Sequence, residues 1–141
     1  AKLESVEQIK QFHRPIPDPQ LDPILRDILW SDPTYNDQVL GVHASPRGKS
    51  VVTFGPDRVL KFCEDNGLEV IIRSHQCVAT GYEFFAGGHL ITVFSATNYQ
   101  GYPNDGAMLE ISKQGHGLSI LPKLVRHSPQ NFGKQETDRP Y

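Results

Sequence analysis

Residues 50–76 leave the chain little choice of local structure. Ser50 to Phe54 reads as a strand, and Pro56 follows where a first helical position would fall. Proline suits that position because its missing N–H is one that a helix start leaves unpaired anyway. Val59, Leu60 and Cys63 recur at helical spacing as far as Asn66-Gly67, a stop signal in which glycine takes the left-handed conformation. Leu68 to Arg73 is the next strand, with three β-branched residues in its middle. Together these predict a strand–helix–strand unit. Its second strand delivers Ser74-His75-Gln76 at a carboxyl end, where ligand sites in α/β sheets tend to lie.

The flanks are less regular. Ser5-Val6-Glu7-Gln8 has the form of a capping box, followed by an apolar stripe of Val6, Ile9 and either Phe12 or His13, which Pro15 stops. Pro15 to Pro23 reads as an extended connection, Asp27 to Trp30 as a short apolar stretch, and residues 34–49 as a long loop. Beyond the central unit, Tyr82 to Ala86 and His89 to Phe94 flank Gly87-Gly88, a two-residue hairpin signal. Ala107 to Ser112 and Leu118 to Leu121 predict a second, looser hairpin around Lys113 to Gly117. After Pro122 periodicity is lost. Residues 1–127 are expected to form one α/β (α+β) domain, and residues 128–141 a flexible tail.

A net charge of −2 over 141 residues, with no basic stripe, argues against nucleic acid or a membrane surface as a partner. The most apolar runs, Val70-Ile71-Ile72 and Leu90 to Phe94, are too short to span a bilayer. Cys63 and Cys77 lack metal-site or disulfide-framework spacing, so reduced thiols in the cytoplasm or nucleus are expected.

Three segments carry candidate chemistry: Arg47-Gly48-Lys49-Ser50, Arg73-Ser74-His75-Gln76 and Ser95-Ala96-Thr97-Asn98-Tyr99. A guanidinium, an imidazole and a phenol on converging loops would suit a phosphate group. Arginine grips two phosphate oxygens, a neutral histidine holds a metal, and tyrosine donates a hydrogen bond. Each residue alone also has a plain structural reading: a turn arginine, a hydrogen-bonded histidine, a packed strand-end tyrosine.

At these segments the chain resembles the phosphoprotein phosphatase family, which includes the type 1, type 2A and calcineurin-like enzymes. Leu29-Trp30-Ser31-Asp32-Pro33, Arg47-Gly48, Thr53-Phe54-Gly55 and Ile72-Arg73-Ser74-His75-Gln76 stand in the family's order. Gly81 to Ala86 and Phe94 to Tyr99 continue it. Asp27 to Thr34, Val52 to Val59, Gly88 to Thr92 and Thr97 in place of the usual proline look most like the kelch-repeat branch, which includes the plant brassinosteroid-signalling suppressors. The resemblance implies the C-terminal half of a metallophosphatase-type β-sandwich flanked by helices. It also implies hydrolysis of phosphoserine and phosphothreonine by two divalent metals (Mn, Fe or Zn) lying about 3.5–4 Å apart. By the same resemblance His75 would be a metal ligand, Arg47 would clamp the substrate phosphate, and Tyr99 would lie beside the phosphate and the bridging oxygen.

Departures from the pattern set a second expectation. The family's G-D-x-H-G, G-D-x-V-D-R-G and G-N-H-E motifs, which bring most of its metal ligands, do not occur in these residues, and Gln100 stands where a cysteine is usual. The chain is therefore expected to supply one metal ligand and to need a missing N-terminal half, or regulatory subunits, as partners in acting on a phosphoprotein. The alternative is a truncated, non-catalytic binding module.

Overall fold

A computed structural model of the protein describes residues 3–18, 22–115 and 117–126. Helix α1 (Val6–Lys10) starts where the capping box predicts: the Gln8 side-chain oxygen accepts the backbone N–H groups of Glu4 and Ser5 at 2.7 and 2.9 Å. It ends before Phe12, shorter than the apolar stripe suggested. Asn66 ties it to the rest of the fold, accepting from the Val6 N–H at 3.0 Å and donating to the Glu4 carbonyl at 3.1 Å.

Helix α2 (Pro23–Trp30) replaces the short apolar stretch read from sequence. Its start is chemically explicit. Asp22 accepts from the Ile24 and Leu25 N–H groups at 2.7 and 3.2 Å, and Pro23 occupies the first turn. Strand β1 (Asp32–Pro33) follows. Within the long loop lies β2 (Val42–Ala44), which pairs antiparallel with β3 (Val52–Phe54), while β1 pairs parallel with β3.

Helix α3 (Pro56–Asn66) matches the sequence reading at both ends, and Gly67 caps it at φ 61°. Strand β4 (Ile71–Arg73) is only the last half of the segment expected. The two strands of the expected unit do not share a sheet. β3 lies in the sheet ordered β1-β3-β2, whereas β4 lies in the sheet ordered β4-β6-β5, with β5 spanning Tyr82–Phe85 and β6 spanning Leu90–Val93. What joins them is α3. Its Val59 and Cys63 form one core with Phe85, Ala86 and Leu90, against which Phe54 of β3 and Ile71 of β4 pack. Burying a side chain of this size contributes about 1.5–3 kcal/mol.

The β5–β6 connection is longer than the two-residue turn predicted. Phe85 pairs with Leu90, and residues 86–88 form a tight 3₁₀ turn in which Ala86, Gly87 and Gly88 all have positive φ (54°, 62° and 96°). The Asp37 carboxylate holds this turn from the far loop by accepting the Ala86 and Gly87 N–H groups at 3.0 and 3.3 Å.

Strands β7 (Gly106–Gln114) and β8 (Gly117–Val125) form a separate antiparallel ribbon, longer than expected. Pro122 does not end β8; it sits opposite Leu109. A ribbon strand has one side without a partner strand, where a missing N–H costs little. Residues 128–141, read from sequence as a flexible tail, lie outside the described residues. Among the described residues no helix is long and apolar enough to cross a membrane.

Candidate functional site

Helix α2 ends at Trp30, and the chain turns through buried Ser31 and Asp32 into β1. Asp32 uses both carboxylate oxygens. Oδ2 accepts from Arg47 Nε at 2.5 Å, and Oδ1 accepts from Arg73 Nη2 at 2.8 Å. Arg73, the last residue of β4, is the better enclosed of the two arginines. Its Nη1 donates to Gln76 Oε1 at 3.1 Å and Thr92 Oγ1 at 3.3 Å, and its Nη2 also reaches the Ser31 carbonyl at 3.4 Å. Burial pushes this guanidinium below its ordinary value while Asp32 pulls it back up. Arginine stays charged through such changes, so the fold holds a permanent cation against a nearly buried carboxylate.

Arg47 enters from the loop between β2 and β3. Its backbone N–H donates to Ser45 Oγ at 3.1 Å, and buried Ser45 donates its own N–H to the Val51 carbonyl at 3.2 Å. About a third of the Arg47 side chain stays at the surface (31%, against 15% for Arg73). With Nε spent on Asp32, its two terminal amino groups are the part left for another partner.

His75 lies two residues beyond β4 and is exposed. Its backbone has φ 84°, uncommon for any residue but glycine and the kind of outlier found at functional sites. Its ring meets Trp30 edge-on, with centroids 5.1 Å apart and planes at 88°. Arg47 and His75 are thus brought together on one short segment, Trp30 to Asp32.

Tyr99 arrives by another route. β4 and β6 run parallel with Arg73 opposite Thr92, so the segments carrying His75 and Phe94 leave the sheet at the same end. Tyr99 packs edge-on against Phe94 at 5.1 Å and donates its backbone N–H to Asn104 Oδ1 at 2.9 Å. Fully buried Asn104 shapes the whole turn, donating to the Ala96 and Asp105 carbonyls at 2.7 and 2.8 Å. The hydrogen bonds and ring contact of Tyr99 run to Phe94, Tyr102 and Asn104 among the described residues. The structure brings two of the three candidate residues to one segment, Arg47 on Asp32 and His75 on Trp30, and sets the third at the same sheet end.

The sequence gives neither Asp32 nor Arg73 a role of its own, although Arg73 opens one of the candidate segments and both lie inside the motif blocks Leu29 to Pro33 and Ile72 to Gln76. The signal was present in those blocks; the pairing was not. A catalytic zinc ion is usually held by three protein ligands. Among the described residues no group of three or more His, Cys, Asp or Glu side chains could hold one, so these residues alone do not fit a metal site.

The calcineurin-like phosphoesterase family matches the chain over residues 2–79. The serine/threonine-protein phosphatase BSL2 of Arabidopsis thaliana is 48% identical over 136 residues, 96% of this chain but 13% of the relative. This chain thus spans about an eighth of the length of that curated relative. Among solved structures, a Saccharomyces cerevisiae protein serine/threonine phosphatase with similarity to human phosphatase PP5 superposes with TM-score 0.72 at 28% identity. That match covers 86% of this chain and 39% of the yeast one. Calcineurin-like phosphoesterases depend on divalent metals. The motif order, the mixed α/β fold and the match to the family over residues 2–79 agree, and the sequence is similar to a phosphoprotein phosphatase of the BSL type: this chain belongs to the calcineurin-like phosphoesterase family.

Proposed function

We propose that this chain supplies the phosphate-gripping half of a protein serine/threonine phosphatase acting on phosphoserine and phosphothreonine. The observation that carries this reading is Arg47, anchored by Asp32 at its Nε, two residues along the chain from the Trp30 that meets His75. The terminal amino groups of Arg47 would bind two oxygens of a substrate phosphate. His75 would offer one imidazole to a divalent ion, and the Tyr99 phenol would donate to a phosphoryl oxygen. Two ions, Mn, Fe or Zn, belong to this reading, with their other ligands outside the described residues.

A groove of about 720 Å³ supports the need for further chain. Ile9, Ile28, Phe54, Phe62, Ile71 and Ile72 line it, an apolar surface suited to receiving additional elements of the same domain. The free thiols of Cys63 and Cys77 favour a reducing compartment, cytoplasm or nucleus.

The test combines this chain with the remaining half of the catalytic domain and measures bound metal and aryl phosphate hydrolysis. Activity is expected in the mixture and absent from either part. Turnover with a stoichiometric metal pair by this chain alone would overturn the proposed division of the site. Metal-loaded mixtures without hydrolysis would favour a non-catalytic phosphopeptide-binding module.

A further inference from the structure

The carboxylate shared by two arginines does more than neutralise charge. A guanidinium can grip a phosphate side-on, through Nε and one terminal nitrogen, or end-on, through both terminal nitrogens. In Arg47 the Nε–H is already committed to Asp32 Oδ2 at 2.5 Å. We propose that Asp32 and Arg73 are positioning residues that force Arg47 to meet phosphate end-on. The inference rests on the phosphate-binding role given to Arg47 above.

Asp32 is placed for this task because it cannot swing. Its side chain is 11% exposed, and its other oxygen is held by Arg73. Arg73 is in turn fixed from three directions, by Thr92 on β6, by Gln76 beyond β4 and by the Ser31 carbonyl. Anchorage passes from the core of one sheet, through Arg73 and Asp32, to an arginine on a surface loop. Two guanidinium cations and one carboxylate also leave net positive charge at the exposed end, the sign a phosphate dianion requires.

The experiment follows arginine side-chain resonances of the 141-residue chain during titration with inorganic phosphate. In the wild type, phosphate is expected to shift the terminal nitrogens of Arg47 while its Nε–H, bonded to Asp32, stays in place. Asp32→Asn is expected to move the Nε–H signal and weaken phosphate binding about tenfold, a loss typical of a charge-assisted hydrogen bond. Arg73→Met should weaken it less, and Arg73→Lys should recover part of that loss. Melting curves accompany every variant, and the wild-type pattern stands as a test even if Asp32→Asn does not fold. Phosphate moving the Nε–H instead of the terminal groups, or a folded Asp32→Asn with unchanged affinity, would overturn the positioning role. A wild-type Arg47 indifferent to phosphate, or Arg47→Lys with unchanged affinity, would defeat the phosphate-binding role itself and the positioning role with it.

Discussion

His75 stands edge-on to Trp30, with ring centroids 5.1 Å apart, while its own backbone is held at φ 84°. A left-handed histidine persists only where its surroundings over-determine it, and the indole is one such constraint. Trp30→Ala should cost about 1–2 kcal/mol, combining lost ring contact with lost burial of a half-buried side chain. Trp30→Phe should keep most of that. Denaturant melts give the energy, and the His75 ring protons, freed from the indole's ring current, report the change of position.

Asn104 makes the second prediction. It is fully buried and bonds to the backbone of Ala96, Tyr99 and Asp105, besides lending its own carbonyl to the Asn98 N–H. Asn104→Ala removes the side-chain partner of the Ala96 and Asp105 carbonyls and of the Tyr99 N–H, while the backbone bond to Asn98 remains, and the loss should total about 1–3 kcal/mol for these part-buried groups. The Tyr99 amide should then exchange with solvent much faster while amides of α3 keep their protection. Equal protection of Tyr99 in both proteins would contradict this account.

Two glycines with positive φ should differ in cost. Gly67 caps α3 at φ 61° with open space around the position of an added Cβ, so Gly67→Ala should cost about 1–2 kcal/mol, the penalty of the left-handed conformation alone. Gly81, at φ 78°, lies against the backbone of Gly106 and Ala107, into which a Cβ would collide. Gly81→Ala should therefore be clearly the worse of the two in thermal denaturation.

Alone α3 was legible at both ends, because Pro56 and Gly67 mark its limits within the segment itself. Helix α2 carried an equally local signal, Asp22 before Pro23, but the surrounding prolines made an extended connection the stronger reading. Strand lengths were misjudged for a different reason. Leu68 has strand-like neighbours, yet its N–H is used to close α3 by bonding to the Cys63 carbonyl. Pro122 looked like a terminator because a sequence does not reveal which side of a strand lacks a partner. Motif order points to Arg47, His75 and Tyr99 as candidates, whereas the place of Asp32 beside them rests on Arg73, a contact between residues 41 positions apart.

The two cysteines supply a pH prediction. Burial pushes the Cys63 thiol above its ordinary value of 9.0. Below that value both folded and unfolded chains keep the proton, and stability from this group is full. As pH rises past 9.0 the unfolded thiol ionises first, so unfolding gains and stability falls. Cys63→Ala should flatten that decline in calorimetry as pH rises past 9.0. A thiol reagent at neutral pH should label half-exposed Cys77 in the native chain, and Cys63 only after denaturant is added.

Backbone ladders never cross from the β1-β3-β2 sheet to the β4-β6-β5 sheet among the described residues. The reach of Arg73 to Asp32 is a clasp across that seam, and Arg47 hangs from its far side. Side chains rather than backbone thus close the seam at this point, one carboxylate serving both arginines. The apolar groove opens along the same seam, lined by Phe54 of one sheet and by Ile71 and Ile72 of the other, with Arg73 on its wall, so the clasp and the groove share one boundary.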